Sequence, residues 1–115
     1  MAVNKFIMSG NLTKDAELIS NQNDRVSRAR IRLAVNKVRK DAQGERQTST
    51  DFFSITLFGN TAENAVKYLG KGSKILVEGA LEADEWEKDG VKIYSVGLVG
   101  REIDYLDTQA PATET

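Results

Sequence analysis

Apolar and polar residues alternate with period two along most of the chain, the pattern of strands with one buried face. It is cleanest from Arg28 to Asn36, where Ala29, Ile31, Leu33 and Val35 point one way and Arg28, Arg30, Arg32 and Asn36 the other. An apolar-rich first strand runs from Val3 to Leu12 and ends at the polar break Thr13-Lys14-Asp15. A short extended piece, Ala16 to Ser20, leads into a turn at Asn21-Gln22-Asn23-Asp24. Lys37 to Ser49 is polar and centred on Gln43-Gly44, so it reads as a hairpin loop. Thr50 to Phe58 is rich in aromatic and β-branched residues and stops at Gly59. Two further strands, Lys74 to Trp86 and Lys92 to Leu106, flank an Asp89-Gly90 hairpin turn.

One segment has helical spacing. Ala62, Ala65, Val66 and Leu69 recur on one face, Asn60 or Thr61 is placed to cap the start, and Gly70 and Gly72 stop it. Five barrel strands with one α-helix between the third and fourth is the element order of an all-β OB-fold barrel, although α+β sandwiches share it. The folded unit is residues 1–106. Residues 107–115, small and polar with the only proline at Pro111, read as a short disordered tail.

Composition narrows the chemistry. The 115 residues include no cysteine and no histidine, which excludes disulfide frameworks, Cys/His zinc sites and histidine-based catalysis. No apolar run reaches the about 20 residues of a membrane span or resembles a signal peptide, so a cytoplasmic protein without a membrane partner is expected. Net charge is −1, which argues at face value against a polyanionic partner. The average hides an asymmetry. Residues 25–46 hold eight Lys/Arg against two Asp/Glu, whereas residues 78–107 hold nine acids against three bases.

Candidate chemistry concentrates on the basic side. In Thr50 to Phe58, one face is Phe53, Ile55 and Leu57, and the other carries Phe52, Ser54, Thr56 and Phe58. That second face is either covered by the helix or another subunit, or is a platform on which nucleic-acid bases stack. Arg28, Arg30 and Arg32 share the outward face of the neighbouring strand, and Lys37, Arg39, Lys40 and Arg46 follow in the hairpin. A run of one sign is either a solvated edge or a groove for an anion, and arginine both forks to phosphate and stacks on bases. Trp86, beside the Asp-Gly turn, is a binding residue or partly packed, with Tyr94 across the hairpin to orient it. Glu82, Asp84, Glu85, Glu87 and Asp89 read as a solvated run rather than a catalytic or metal set. Gly70-Lys71-Gly72-Ser73-Lys74 looks suited to phosphate, but it lacks P-loop spacing and reads as a helix stop.

These residues also carry a family resemblance, covering about Val3 to Leu106. The blocks are Val3-Asn4-Lys5 through Gly10-Asn11-Leu12 with Lys14-Asp15 and Glu17, then Ile31-Arg32-Leu33-Ala34-Val35 and the loop Lys40-Asp41 to Gly44-Glu45. Asp51-Phe52 through Leu57-Phe58-Gly59 and Ala62-Glu63 to Tyr68-Leu69 follow. Lys71-Gly72-Ser73, Val77-Glu78-Gly79 and Leu81 through Trp86 to Asp89-Gly90 complete the set. The chain closely resembles bacterial-type single-stranded DNA-binding proteins. The resemblance implies an OB-fold, a homo-oligomer (tetramer first, dimer second), and binding of single-stranded DNA without sequence preference. Phe52 and Trp86 match stacking positions and Phe58 another contact aromatic, while Arg39 stands where the family has a tryptophan. Phe53 replaces a histidine that many members have near the subunit interface. The last residues, Pro111-Ala112-Thr113-Glu114-Thr115, lack the family's acidic, aromatic-tipped peptide, which fits either a short phage or mobile-element member or a truncated chain. Partner recruitment through such a tip is therefore not expected.

The expected function is a non-enzymatic single-stranded DNA binder in replication, recombination and repair, with no catalytic residue, metal or cofactor. Stacking falls to Phe52, Phe58 and Trp86, and backbone contact to Arg28, Arg30, Arg32, Lys37, Arg39, Lys40 and Arg46. Replication or recombination proteins are the expected protein partners. The rival is a primosome-type OB accessory protein that mainly bridges replication proteins.

Overall fold

The computed structural model describes residues 2–20 and 27–111; the expected turn at 21–24 and the last four residues lie outside this range. Six strands and one helix follow in the order β1 (Phe6–Leu12), β2 (Glu17–Ser20), β3 (Arg28–Lys40), β4 (Arg46–Phe58), α1 (Gly59–Tyr68), β5 (Lys74–Lys88) and β6 (Val91–Asp107). The sheet runs β1-β5-β6-β4-β3-β2, and a further β1–β3 pairing closes five of the strands into a barrel. Closure is short: Asn11↔Ala34 and Leu12↔Leu33. The short β2 sits outside the ring, on β3. It makes the count six, so the helix that was expected after the third strand falls after the fourth.

Alternation builds the core. Ala29, Ile31 and Leu33 from β3, Ile55 and Leu57 from β4, and Ile75 and Val77 from β5 are all buried at the barrel axis. Ala62, Ala65 and Leu69 bring α1 onto the same cluster. The parallel β4–β6 pairing needs space: a Cβ at Gly100 would lie 2.7 Å from Leu57 Cδ2 and 3.1 Å from Ile55 Cγ2. Only glycine fits beside the two core side chains there.

The helix begins two or three residues earlier than expected and without a side-chain cap. Phe58 occupies the cap position, and Gly59, at φ +64°, makes the turn out of β4. Gly59 N–H donates to the Ser27 carbonyl at 2.9 Å, and Ser27 Oγ donates to Glu63 at 2.8 Å. A neighbouring strand end thus does the work expected of Asn60 or Thr61.

Order also extends past the expected boundary at 106. Asp107 still pairs with Lys74, and Gln109 donates to Ser73 Oγ at 2.8 Å while its carbonyl accepts from Gly70 N–H at 2.7 Å. Through Pro111, the segment read as tail packs on the loop after the helix.

Candidate nucleic-acid interface

Two hairpin arms leave the barrel. β3 and β4 pair over their whole length, from Arg28↔Phe58 to Lys40↔Arg46, so the polar stretch expected to be a loop is mostly strand. Its tip is residues 41–45. Asp41 Oδ1 accepts from Gln43 N–H and Glu45 N–H, both at 2.9 Å, and Oδ2 accepts from Gln47 Nε2 at 3.0 Å. These bonds, the Glu45 amide first and Gln47 next, hold the exposed Asp41 carboxyl below its ordinary pKa. The second arm is β5–β6, whose turn puts Asp89 at φ +53° and Gly90 at φ +78°. This is the geometry that an Asp-Gly pair favours.

The register sorts the candidate residues by face. Phe58 lies opposite Arg28, Thr56 opposite Arg30, Ser54 opposite Arg32 and Phe52 opposite Ala34. Directly opposed residues share a face, so the three arginines and two phenylalanines form one outward surface. Lys40↔Arg46 continues it along the arm. Lys37 and Arg39, one step out of phase, are on the reverse side, and Lys37 Nζ is bound to Asp51 Oδ2 at 2.9 Å. The seven cations grouped by sequence are therefore five on one face and two on the other.

Trp86 joins the first face by a route that no local pattern reveals. β4 meets β6 at Thr56↔Val99, and steps of two along β6 lead from Val99 to Ile93, which lies opposite Trp86. The register is unshifted between these points, so Trp86 is on the side of the sheet that carries Phe52 and Phe58. The three aromatics are 52%, 43% and 47% exposed for Phe52, Phe58 and Trp86. Neither the helix nor another strand covers them. Tyr94 lies opposite Glu85, on the reverse face, so it does not orient Trp86. The same alternation divides the acidic run, with Glu82 and Asp84 on the tryptophan side and Glu85 and Glu87 behind.

Carboxylates share this side of the sheet, Glu17 opposite Arg30 and Glu82 and Asp84 near Trp86, but none is bonded to its basic residues. Among the described residues Arg28, Arg30, Arg32, Lys40 and Arg46 form no ion pair. Arg32 instead sits over the Phe52 ring, Cζ 4.3 Å from its centroid, and donates through Nη1 to Thr13 Oγ1 at 3.4 Å. Thr13 stands in a polar break and carries no signal of its own in the sequence; its proximity to Arg32 is tertiary. The loop at Gly70-Lys71-Gly72-Ser73 is no phosphate cradle. Its amides donate internally, to the Gln109 carbonyl, Asp15 Oδ1, the Leu12 carbonyl and the Gly70 carbonyl in turn.

A closed five-stranded barrel with a helix between its third and fourth members is an OB-fold, the class expected from the element order. Comparison with known proteins makes this specific: the chain belongs to the single-strand binding protein family, whose profile matches residues 3–106. It is 41% identical over 106 residues to "Single-stranded DNA-binding protein 1" of Staphylococcus aureus (strain MSSA476), covering 91% of this chain and 66% of that one. The chain thus spans just under two-thirds of that relative's length. Among solved structures it superposes with TM-score 0.80 on a deletion mutant of the single-stranded DNA binding protein from Thermus aquaticus. Identity there is 30%, over 91% of this chain and 51% of that chain. A Plasmodium falciparum SSB complex with ssDNA shares the fold at TM-score 0.77 and 24% identity, covering 93% of this chain and 97% of that one.

Proposed function

We propose that this chain binds single-stranded DNA without sequence preference, as a non-enzymatic protein of replication, recombination and repair. The supporting observation is the single surface on which exposed aromatics adjoin arginines that form no ion pair among the described residues. Unpaired bases offer flat faces to Phe52, Phe58 and Trp86, and the phosphates between them offer anions to Arg28, Arg30, Arg32, Lys40 and Arg46. Duplex DNA hides its base faces, so the same surface discriminates against it. Lys37 and Arg39 meet DNA only where the strand wraps around the arm. The Staphylococcus and Thermus relatives, named for the same ligand, support the reading.

A homo-oligomer, a tetramer before a dimer, is part of the proposal. Exposed apolar side chains, Ile7 at 61% and Val96 at 67%, are suited to contact between copies. No helix among the described residues is long and apolar enough to cross a membrane, and we place the protein in the bacterial cytoplasm, as a host or phage product.

Trp86 is the only tryptophan, so its fluorescence reports the site directly. Adding oligo-dT at low salt should quench it, and added salt should restore it. Unchanged emission with DNA bound would remove Trp86 from the interface. Binding that does not distinguish single-stranded from duplex DNA would favour the accessory-protein reading.

A further inference from the structure

Arg32 differs from the other cations of the outward face in being held on two sides. Its guanidinium carbon lies 4.3 Å over the Phe52 ring, and Nη1 donates to Thr13 Oγ1 at 3.4 Å. Thr13 is itself fixed, because its N–H donates to the Arg32 carbonyl at 2.9 Å. The side chain is half-buried and has no ion pair among the described residues. A guanidinium is planar, with weakly hydrated faces and its donors around the rim. One face here rests on the phenyl ring, and one corner of the rim is tied to Thr13. The second face and the remaining donors are left for a ligand.

A nucleotide answers both needs, with a base for the face and a phosphate for the rim. We propose that Arg32 is itself a stacking layer: the base seated at Phe52 packs on the Arg32 guanidinium, giving a phenyl–guanidinium–base stack. Thr13 is the positioning residue that keeps the guanidinium on the ring. This rests on the single-stranded DNA reading above and deepens it. It moves Arg32 from backbone contact to base contact and adds a residue that sequence reasoning did not select. The geometry also means that the Phe52 ring is not bare on that side. A base reaches it only through the arginine or by displacing it, and the two anchors favour the first.

The test uses Arg32→Lys, which keeps the charge and removes the plane, with Thr13→Val and Phe52→Leu. Binding of oligo-dT is measured by fluorescence polarisation over a salt series. Arg32→Lys should weaken binding about fivefold or more at unchanged salt slope, since one base–guanidinium stack is lost while the phosphate charge stays. The same change made in Phe52→Leu should cost clearly less, because the stack is already broken. Thr13→Val should weaken binding less than Arg32→Lys. In the unaltered chain, the Arg32 Nε–H resonance should carry a ring-current shift from Phe52 and move upfield again when oligo-dT is added. That readout does not depend on a variant folding. Arg32→Lys binding like the parent, losses that simply multiply in the double variant, or an unmoved Arg32 resonance would each overturn the proposal. If the unaltered chain fails to bind oligo-dT, the underlying reading fails first and takes this one with it.

Discussion

Phe52 on β4 and Trp86 on β5 come to one surface across the intervening β6, and each is about half exposed. Exposed rings of this size suit a flat ligand, and a base held at each is worth about 1–3 kcal/mol. Phe52→Ala and Trp86→Ala should each weaken oligo-dT binding by about that amount, with little change in the thermal midpoint. A large loss of stability with unchanged affinity would make them packing residues instead. Arg28, Arg30 and Arg32 were legible in the sequence because Ala29, Ile31 and Leu33 between them had to face inward. Lys37 and Arg39 were not separable from that set by proximity in sequence, since a single residue of phase sends them behind the arm. The Arg32–Phe52–Thr13 contact was beyond reach, because Thr13 meets β3 only once the barrel closes.

At the scale of elements, the hairpin tips behave differently. Asp89-Gly90 is a turn that the sequence announces, while the β3–β4 tip is organised by one carboxylate. Because its amide and Gln47 bonds hold the Asp41 pKa low, their contribution is present at neutral pH and is lost only as pH falls through that lowered value. The amide resonances of Gln43 and Glu45 should therefore titrate with an inflection below the ordinary aspartate value of about 3.9, and Asp41→Ala should abolish it. An inflection at or above that value would mean that the carboxylate does not hold the tip. This turn also explains why Lys37 to Ser49 looked like a loop. No apolar alternation marks it, yet β3 and β4 pair out to Lys40 and Arg46, where the tip bonded to Asp41 joins them. The helix was legible in extent from Ala62, Ala65 and Leu69, but its start was not, because Ser27 on a distant segment replaces the local cap.

At the scale of the whole molecule, the radius of gyration of 16.6 Å exceeds the roughly 13 Å of a compact domain of this size. The two arms reach outward, the basic one and the acidic one, so the net charge of −1 is a sum over two unlike surfaces. Trp86 belongs to the acidic arm by sequence and to the arginine-bearing face by register, with Glu82 and Asp84 beside it on that side. Phe53, half-buried opposite Leu33, does not line the aromatic face. Molecular mass in solution should show four copies, with two as the alternative; a monomer with and without DNA would contradict assembly. Whether the aromatic and arginine face holds single-stranded DNA is read most directly from equilibrium binding of oligo-dT against a duplex of equal length over a salt series. Strong preference for the single strand is expected, with an affinity that falls linearly in log–log form with salt. Equal affinity for both forms, or single-strand binding indifferent to salt, would contradict it.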